Sequence, residues 1–128
     1  YRPGRWGFRN NLLTSDPVRF DVHRNHFDAR PEMRLGGVTW AWLDAAYKSS
    51  AKLADPAYLG RIEVPVLICQ AGREVIVSNP AQRRLAALLP DATLKVYREA
   101  FHEILMERDT IRNAFWADFD TFLAQHGV

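Results

Sequence analysis

Val64-Pro65-Val66-Leu67-Ile68-Cys69-Gln70-Ala71-Gly72 is a short apolar run, rich in β-branched residues, that ends on alanine and glycine. Its apolar positions are continuous rather than alternating, the pattern of a parallel-sheet strand covered on both faces. Cys69, the single cysteine, sits inside the run and reads as a buried structural thiol with no internal disulfide partner. Toward the C-terminus, Pro80 to Leu89 sets Ala81, Leu85, Ala86, Leu88 and Leu89 on one helical face, with Gln82, Arg83 and Arg84 toward water. Pro90-Asp91 closes that helix. Thr93-Leu94-Lys95-Val96-Tyr97 then alternates as a second strand, with Phe101-His102 in the turn after it. A last helix runs from about Asp109 to Gln125 and buries Ile111, Phe115, Phe119, Phe122 and Leu123. Strand–helix–strand–helix over 64–125 predicts an α/β fold built on a parallel βαβ unit with a right-handed crossover. Two strands are too few for a stable covered sheet, so the unit needs a neighbouring strand or another chain along its open edge.

Before Gly60 the grammar is helical. Residues 1–13 read as an irregular aromatic lead-in. At Thr14-Ser15-Asp16-Pro17 a helix starts, with Asp16 as cap and Pro17 at the first helical position, where its missing N–H costs nothing. Pro31 ends it near Ala29-Arg30. Gly36-Gly37 breaks the chain, a second helix spans about Thr39 to Leu53, and Asp55-Pro56 ends that one. No strand is predicted in residues 1–60, and no internal repeat or low-complexity tract is found.

Composition bounds the partners. The chain has 128 residues, 48% of them hydrophobic and 25% charged, with a formal net charge of +2. That balance creates no field of the kind that holds nucleic acid. Residues 1–60 carry nine Lys/Arg against six Asp/Glu and nine of the fifteen aromatics, whereas residues 61–128 carry eight against nine. The mild basic and aromatic excess of the first half suits an amphiphilic or anionic substrate. No run of about eighteen apolar residues is present to span a membrane. The opening YRPGRWGFRN lacks the apolar core of a signal peptide, lacks a starting methionine, and reads as a chain entered partway through. A cytoplasmic location is the expectation.

The chemistry is expected at the C-terminal ends of the strands, where the loops of an open parallel sheet meet and ligands bind. Two such loops are readable, Gly72-Arg73-Glu74-Val75-Ile76-Val77 and Glu99-Ala100-Phe101-His102-Glu103. Adjacent strands lie roughly 5 Å apart, so Glu74 and His102 can reach one another. A carboxylate on an imidazole fixes its tautomer and stabilises the imidazolium formed when it takes a proton. Asp91 precedes the second strand and belongs at the opposite edge, Glu103 should diverge from its neighbour His102, and Glu107 and Asp109 open the last helix, where acids favour the positive dipole end. Ile76 and Val77 are expected to pack under the histidine loop. His23 and His26 stand three apart with Asp21 and Asp28 nearby, a metal-chelating spacing more often found on a solvated helix face. Trp40 and Trp42 suit an acyl pocket or equally the packing of a helical layer.

On these residues the chain resembles the C-terminal part of the α/β-hydrolase superfamily. The Val64–Gly72 string, followed by an acid and an apolar pair before Asn79, is similar to its acid-bearing strand and turn. Phe101-His102-Glu103-Ile104-Leu105-Met106-Glu107 resembles the histidine turn of its lysophospholipase and monoacylglycerol-lipase branch. Leu13-Thr14 into one helix and Leu35-Gly36-Gly37-Val38-Thr39-Trp40 into another look like the cap of that branch. The resemblance implies a cap over residues 1–60, a βαβα core over 61–128, His102 and Glu74 as base and acid, and Trp40 and Trp42 near substrate. Many members carry Asp where this chain has Glu74. A lipid-like ester substrate, peripheral contact with a membrane and no cofactor are implied as well. The superfamily needs a Gly-x-Ser-x-Gly elbow, and none of Ser15, Ser49, Ser50 or Ser78 lies in one. The elbow would precede Tyr1, and the chain alone should have little or no activity. The competing expectation is a non-catalytic α/β module whose sheet edge pairs with another chain.

Overall fold

A computed structural model describes residues 7–127. Three helices come first: α1 (Pro17–Ala29), α2 (Trp40–Lys52) and the single turn α3 (Pro56–Leu59). The order β1 (Val66–Ala71), α4 (Asn79–Leu88), β2 (Ala92–Tyr97), α5 (Asp109–Gln125) completes the chain. Each helix before β2 starts where a side-chain oxygen can take an orphan N–H. Asp16 Oδ1 accepts from Val18 N at 2.8 Å, Thr39 Oγ1 from Trp42 N at 3.1 Å and Asp55 Oδ1 from Ala57 N at 2.9 Å. Ser78 Oγ serves α4 through Ala81 N at 3.3 Å. Asp55-Pro56 thus starts a helix as well as ending one, and it seats Leu59, which is fully buried.

β1 and β2 pair in parallel, from Val66 opposite Ala92 to Ala71 opposite Tyr97. Val64 and Pro65 stay outside the strand, Val64 exposed, and the first backbone bond runs from Val66 N–H to Asp91 O at 3.0 Å. Because parallel partners share a face, Val66, Ile68 and Gln70 turn toward α4, while Leu67, Cys69 and Ala71 turn with Thr93, Lys95 and Tyr97 toward α5. The core cluster lies on the second face, where Ala71, Tyr97, Ala100 and Ile104 are buried with Cys69, Ile111 and Phe115 against them. Ile111, Phe115, Phe119, Phe122 and Leu123 of α5 are half-buried rather than buried. So are Val66 to Cys69, and only Gln70 and Ala71 meet the expectation of full cover. Among the described residues the sheet has these two strands and two unpaired edges.

Two expectations about polarity are corrected. Gln82 and Arg83 do not simply face water: Gln70, buried on β1, donates from Nε2 to Gln82 Oε1 at 2.9 Å and accepts from Arg83 Nη1 at 2.9 Å. A buried amide has to be paired, and these two side chains pair it. On the other face, Lys95 Nζ lies 2.8 Å from Asp118 Oδ1 and the Tyr97 hydroxyl donates to Asp118 Oδ2 at 3.0 Å. The alternation of β2 therefore points Lys95 and Tyr97 at α5, and leaves Val96 largely exposed.

The strand ends are laced directly together. Gly72 N–H donates to Tyr97 O at 2.8 Å, Arg73 N–H to Ala100 O at 2.9 Å and Ala100 N–H back to Tyr97 O at 3.0 Å. A Cβ on Gly72 would meet Arg98 O at 2.2 Å and Arg98 Cα at 2.5 Å, so backbone would have to move to admit it. Gly72→Ala should cost about 1–3 kcal/mol in urea unfolding of a protein containing this chain. Gly36→Ala, where nothing lies within 4 Å of the added carbon, should change stability far less.

Candidate active site

The lacing at Gly72 carries the two strand-end loops side by side, and the first outcome is the Glu74–His102 contact. Glu74 Oε2 lies 2.7 Å from His102 Nδ1, with the acid side chain 2% exposed and the imidazole 32% exposed. The other carboxylate oxygen, Oε1, accepts from Ile76 N–H at 2.6 Å and from Val77 N–H at 3.2 Å. Ile76 and Val77 thus serve the site through their backbone, and both side chains remain exposed rather than packed beneath the histidine. Burial pushes the Glu74 carboxyl up, but the Ile76 N–H, the His102 ring and the Val77 N–H together hold it below the ordinary carboxylate value. An ionised Glu74 can only accept, so Nδ1 carries a proton, and in the neutral tautomer this selects Nε2 presents its lone pair.

The histidine turn is held from the opposite side by the chain entering α1. Asn11 Oδ1 accepts from Leu13 N–H at 2.8 Å and Thr14 N–H at 3.0 Å, folding residues 11–14 into a tight side-chain-closed turn. Leu13 O then takes Glu103 N–H at 2.8 Å, Leu12 O takes His102 N–H at 3.5 Å, and Thr14 Oγ1 donates to Met106 O at 2.6 Å. Glu107 does not open α5, as its position in the sequence suggests; the helix begins at Asp109. Glu107 is instead fully buried and accepts from residues of both segments. The one hint in the sequence was an acid directly after Ile104-Leu105-Met106. Asp109 does sit at the helix start, where the Arg19 guanidinium beside it holds its carboxyl below the usual range.

Other residues singled out by sequence stand apart. Asp91 lies at the far end of the sheet, its carbonyl on Val66. His23 and His26 are exposed on α1, the His23 ring 4.9 Å from that of Phe27, and no three metal-capable side chains converge among the described residues. Trp40 and Trp42 are 87% and 58% exposed on α2, a helix that packs extensively against no other described element. Among the described residues no helix is long and apolar enough to cross a membrane. Tyr1 to Trp6, including most of the basic opening, lie outside the described residues.

Residues 3–109 match the family described as Serine aminopeptidase, S33. The chain belongs to this α/β-hydrolase family. Among curated proteins it is similar to a probable lysophospholipase L2 of Haemophilus influenzae, 37% identical over 93 residues that make up 73% of this chain and 29% of that one. It is also similar to lysophospholipase L2 of Escherichia coli K12, 28% identical over 96% of this chain and 38% of that one. A solved structure of a soluble variant of Saccharomyces cerevisiae monoglyceride lipase, in complex with a substrate analog, superposes with a TM-score of 0.73. It is 22% identical and matches 94% of this chain and 42% of that one. The chain therefore spans between about three tenths and two fifths of the length of these relatives.

The carboxyl depression fixes a pH dependence. A group whose folded value lies below its ordinary value, near 4.5, contributes stability that is fully present above that value and lost as pH falls through the folded one. The thermal-stability advantage of the wild-type protein over Glu74→Gln should be present above the ordinary carboxyl value of 4.5 and should shrink as pH falls below it. A gap unchanged down to pH 3 would contradict this depression.

Proposed function

We propose that the intact protein is a serine ester hydrolase of lysophospholipase or monoacylglycerol-lipase type, and that this chain supplies its general base, His102, and its acid, Glu74. The observation that carries the reading is the 2.7 Å contact of Nδ1 with Oε2 at adjacent strand ends. That contact leaves Nε2 as the nitrogen able to take a proton. The nucleophile would stand on a Gly-x-Ser-x-Gly elbow upstream of Tyr1. Ser15 is unsuited to that task, because its hydroxyl is engaged by Glu107 and by Arg108 Nε at 3.1 Å.

In this mechanism the serine hydroxyl attacks the ester carbonyl while its proton passes to His102 Nε2. The tetrahedral intermediate collapses as the imidazolium returns that proton to the departing alcohol. Water then attacks the acyl-enzyme with His102 again as base, which frees the fatty acid and the serine. Glu74 offsets the imidazolium charge in both halves without itself taking a proton. The family description refers to an aminopeptidase. The ester reading is preferred because proteins named as lysophospholipases align over 73% and 96% of the chain. Trp40 and Trp42 would contribute aromatic surface to the acyl site, and residues 1–60 would form the cap that excludes water from it. A lipid substrate would bring this cytoplasmic enzyme to the periphery of a membrane. The chain on its own, without an elbow serine, would be inert.

In the intact protein, His102→Ala should lower kcat on a p-nitrophenyl ester by roughly 10³-fold or more, and Glu74→Ala by on the order of 10²-fold or more. His102→Ala activity within a few-fold of wild type would overturn the assignment. The 128-residue chain alone should show no turnover above background.

A further inference from the structure

Glu107 is the most completely enclosed ionisable residue among the described residues, at 0% exposure, and no step of the proposed reaction uses it. Four donors converge on its two oxygens. Oε1 accepts from Phe101 N–H at 2.8 Å and Ser15 N–H at 3.0 Å, while Oε2 accepts from the Ser15 hydroxyl and from Arg108 N–H at 3.3 Å. Its own carbonyl accepts from the Arg19 guanidinium on α1. A buried carboxyl group is costly unless its oxygens are matched by donors, and here the donors come from two segments more than eighty residues apart in sequence.

What those donors hold is the histidine turn. Phe101 immediately precedes His102, so the bond from its N–H to Oε1 fixes the Ala100–Phe101 peptide, one residue ahead of the imidazole. The next two N–H groups, of His102 and Glu103, are taken by Leu12 O at 3.5 Å and Leu13 O at 2.8 Å. Three successive amides around His102 are thereby tied down, one by Glu107 and two by a strap, residues 11–15, that Glu107 itself grips through Ser15. The imidazole is thus clamped on this side before it meets Glu74 on the other. A displacement of about 1 Å in a reacting group is enough to cost two orders of magnitude in rate.

We infer that Glu107 is a positioning residue for His102: through Phe101 and the Ser15 strap it sets the backbone from which the imidazole reaches Glu74. The inference rests on the role proposed for His102. It is tested with a cycle of variants in the intact protein, assayed on p-nitrophenyl butyrate with circular-dichroism melts in parallel.

Glu107→Leu, which keeps the bulk and removes both acceptors, should lower kcat about 30-fold with KM within about two-fold. Glu107→Gln, which keeps an acceptor for Phe101, should recover kcat to within about five-fold of wild type. In a His102→Ala background, Glu107→Leu should change the residual rate less than about three-fold, because the group it positions is gone. Should Glu107→Leu fail to fold, Ser15→Ala carries the same test, with a kcat loss of about five-fold that vanishes in the His102→Ala background. The inference is overturned if the folded Glu107 or Ser15 variant keeps wild-type kcat, or if its loss is the same with and without His102. Near-wild-type activity of His102→Ala itself would instead mark failure of the proposed base.

Discussion

Parallel pairing in register, Val66 to Ala92 through Ala71 to Tyr97, brings two strand-end loops to the same edge of the sheet. At that edge the chain has no room for a side chain: Gly72 sits where a Cβ would strike the Arg98 backbone. The close approach lets Gly72 and Arg73 donate to Tyr97 O and Ala100 O, so the loops are joined by main chain before any functional side chain is placed. Glu74 leaves one loop two residues after Gly72 and His102 leaves the other two residues after Ala100. Their contact is a consequence of that backbone lacing.

The site is therefore built in layers. The sheet sets the spacing, Ile76 and Val77 hold the acid through their N–H groups, and the acid selects the imidazole tautomer. From the far side, the Asn11-to-Ser15 strap and Glu107 hold the turn on which the imidazole stands. Three of the four buried polar residues found among the described residues, Asn11, Thr14 and Glu107, belong to this support. The fourth, Gln70, lies under the acid-bearing loop and donates to Asn79 O at 3.0 Å. Buried polarity in this chain is concentrated where the candidate chemistry is, and the apolar core on the α5 face is small by comparison.

Much of this was readable from residue order. Asp16-Pro17 and Pro31 bracket α1 and Thr39 opens α2 within one or two positions, because caps act locally, whereas Asp55-Pro56 reads only as an end to α2 and the single turn α3 that it caps was not read. The β1–α4–β2–α5 order followed from continuous and alternating apolar patterns, and the placement of Glu74 and His102 from the rule that parallel strands present their C-terminal loops together. The support layer was not readable, because the bonds that join its two segments link residues about ninety apart, such as Thr14 to Met106 and Ser15 to Glu107, and leave no periodic trace. Glu107 reads locally as a helix-opening acid; only the path of residues 11–15 across the histidine turn makes it a buried acceptor. Gln82 and Arg83 misled for a related reason, since their partner Gln70 lies in a run that otherwise looks apolar.

The central claim is that the Glu74 carboxylate holds the proton on His102 Nδ1 and leaves Nε2 to act. Proton and nitrogen-15 NMR of the imidazole in the intact protein, at neutral pH, addresses it without reference to any substrate. The account predicts a far-downfield proton bonded to Nδ1 of His102, with Nε2 unprotonated, and loss of that resonance in Glu74→Ala. A neutral His102 ring with its proton on Nε2 rather than Nδ1, or a ring spectrum indifferent to Glu74→Ala, would contradict it.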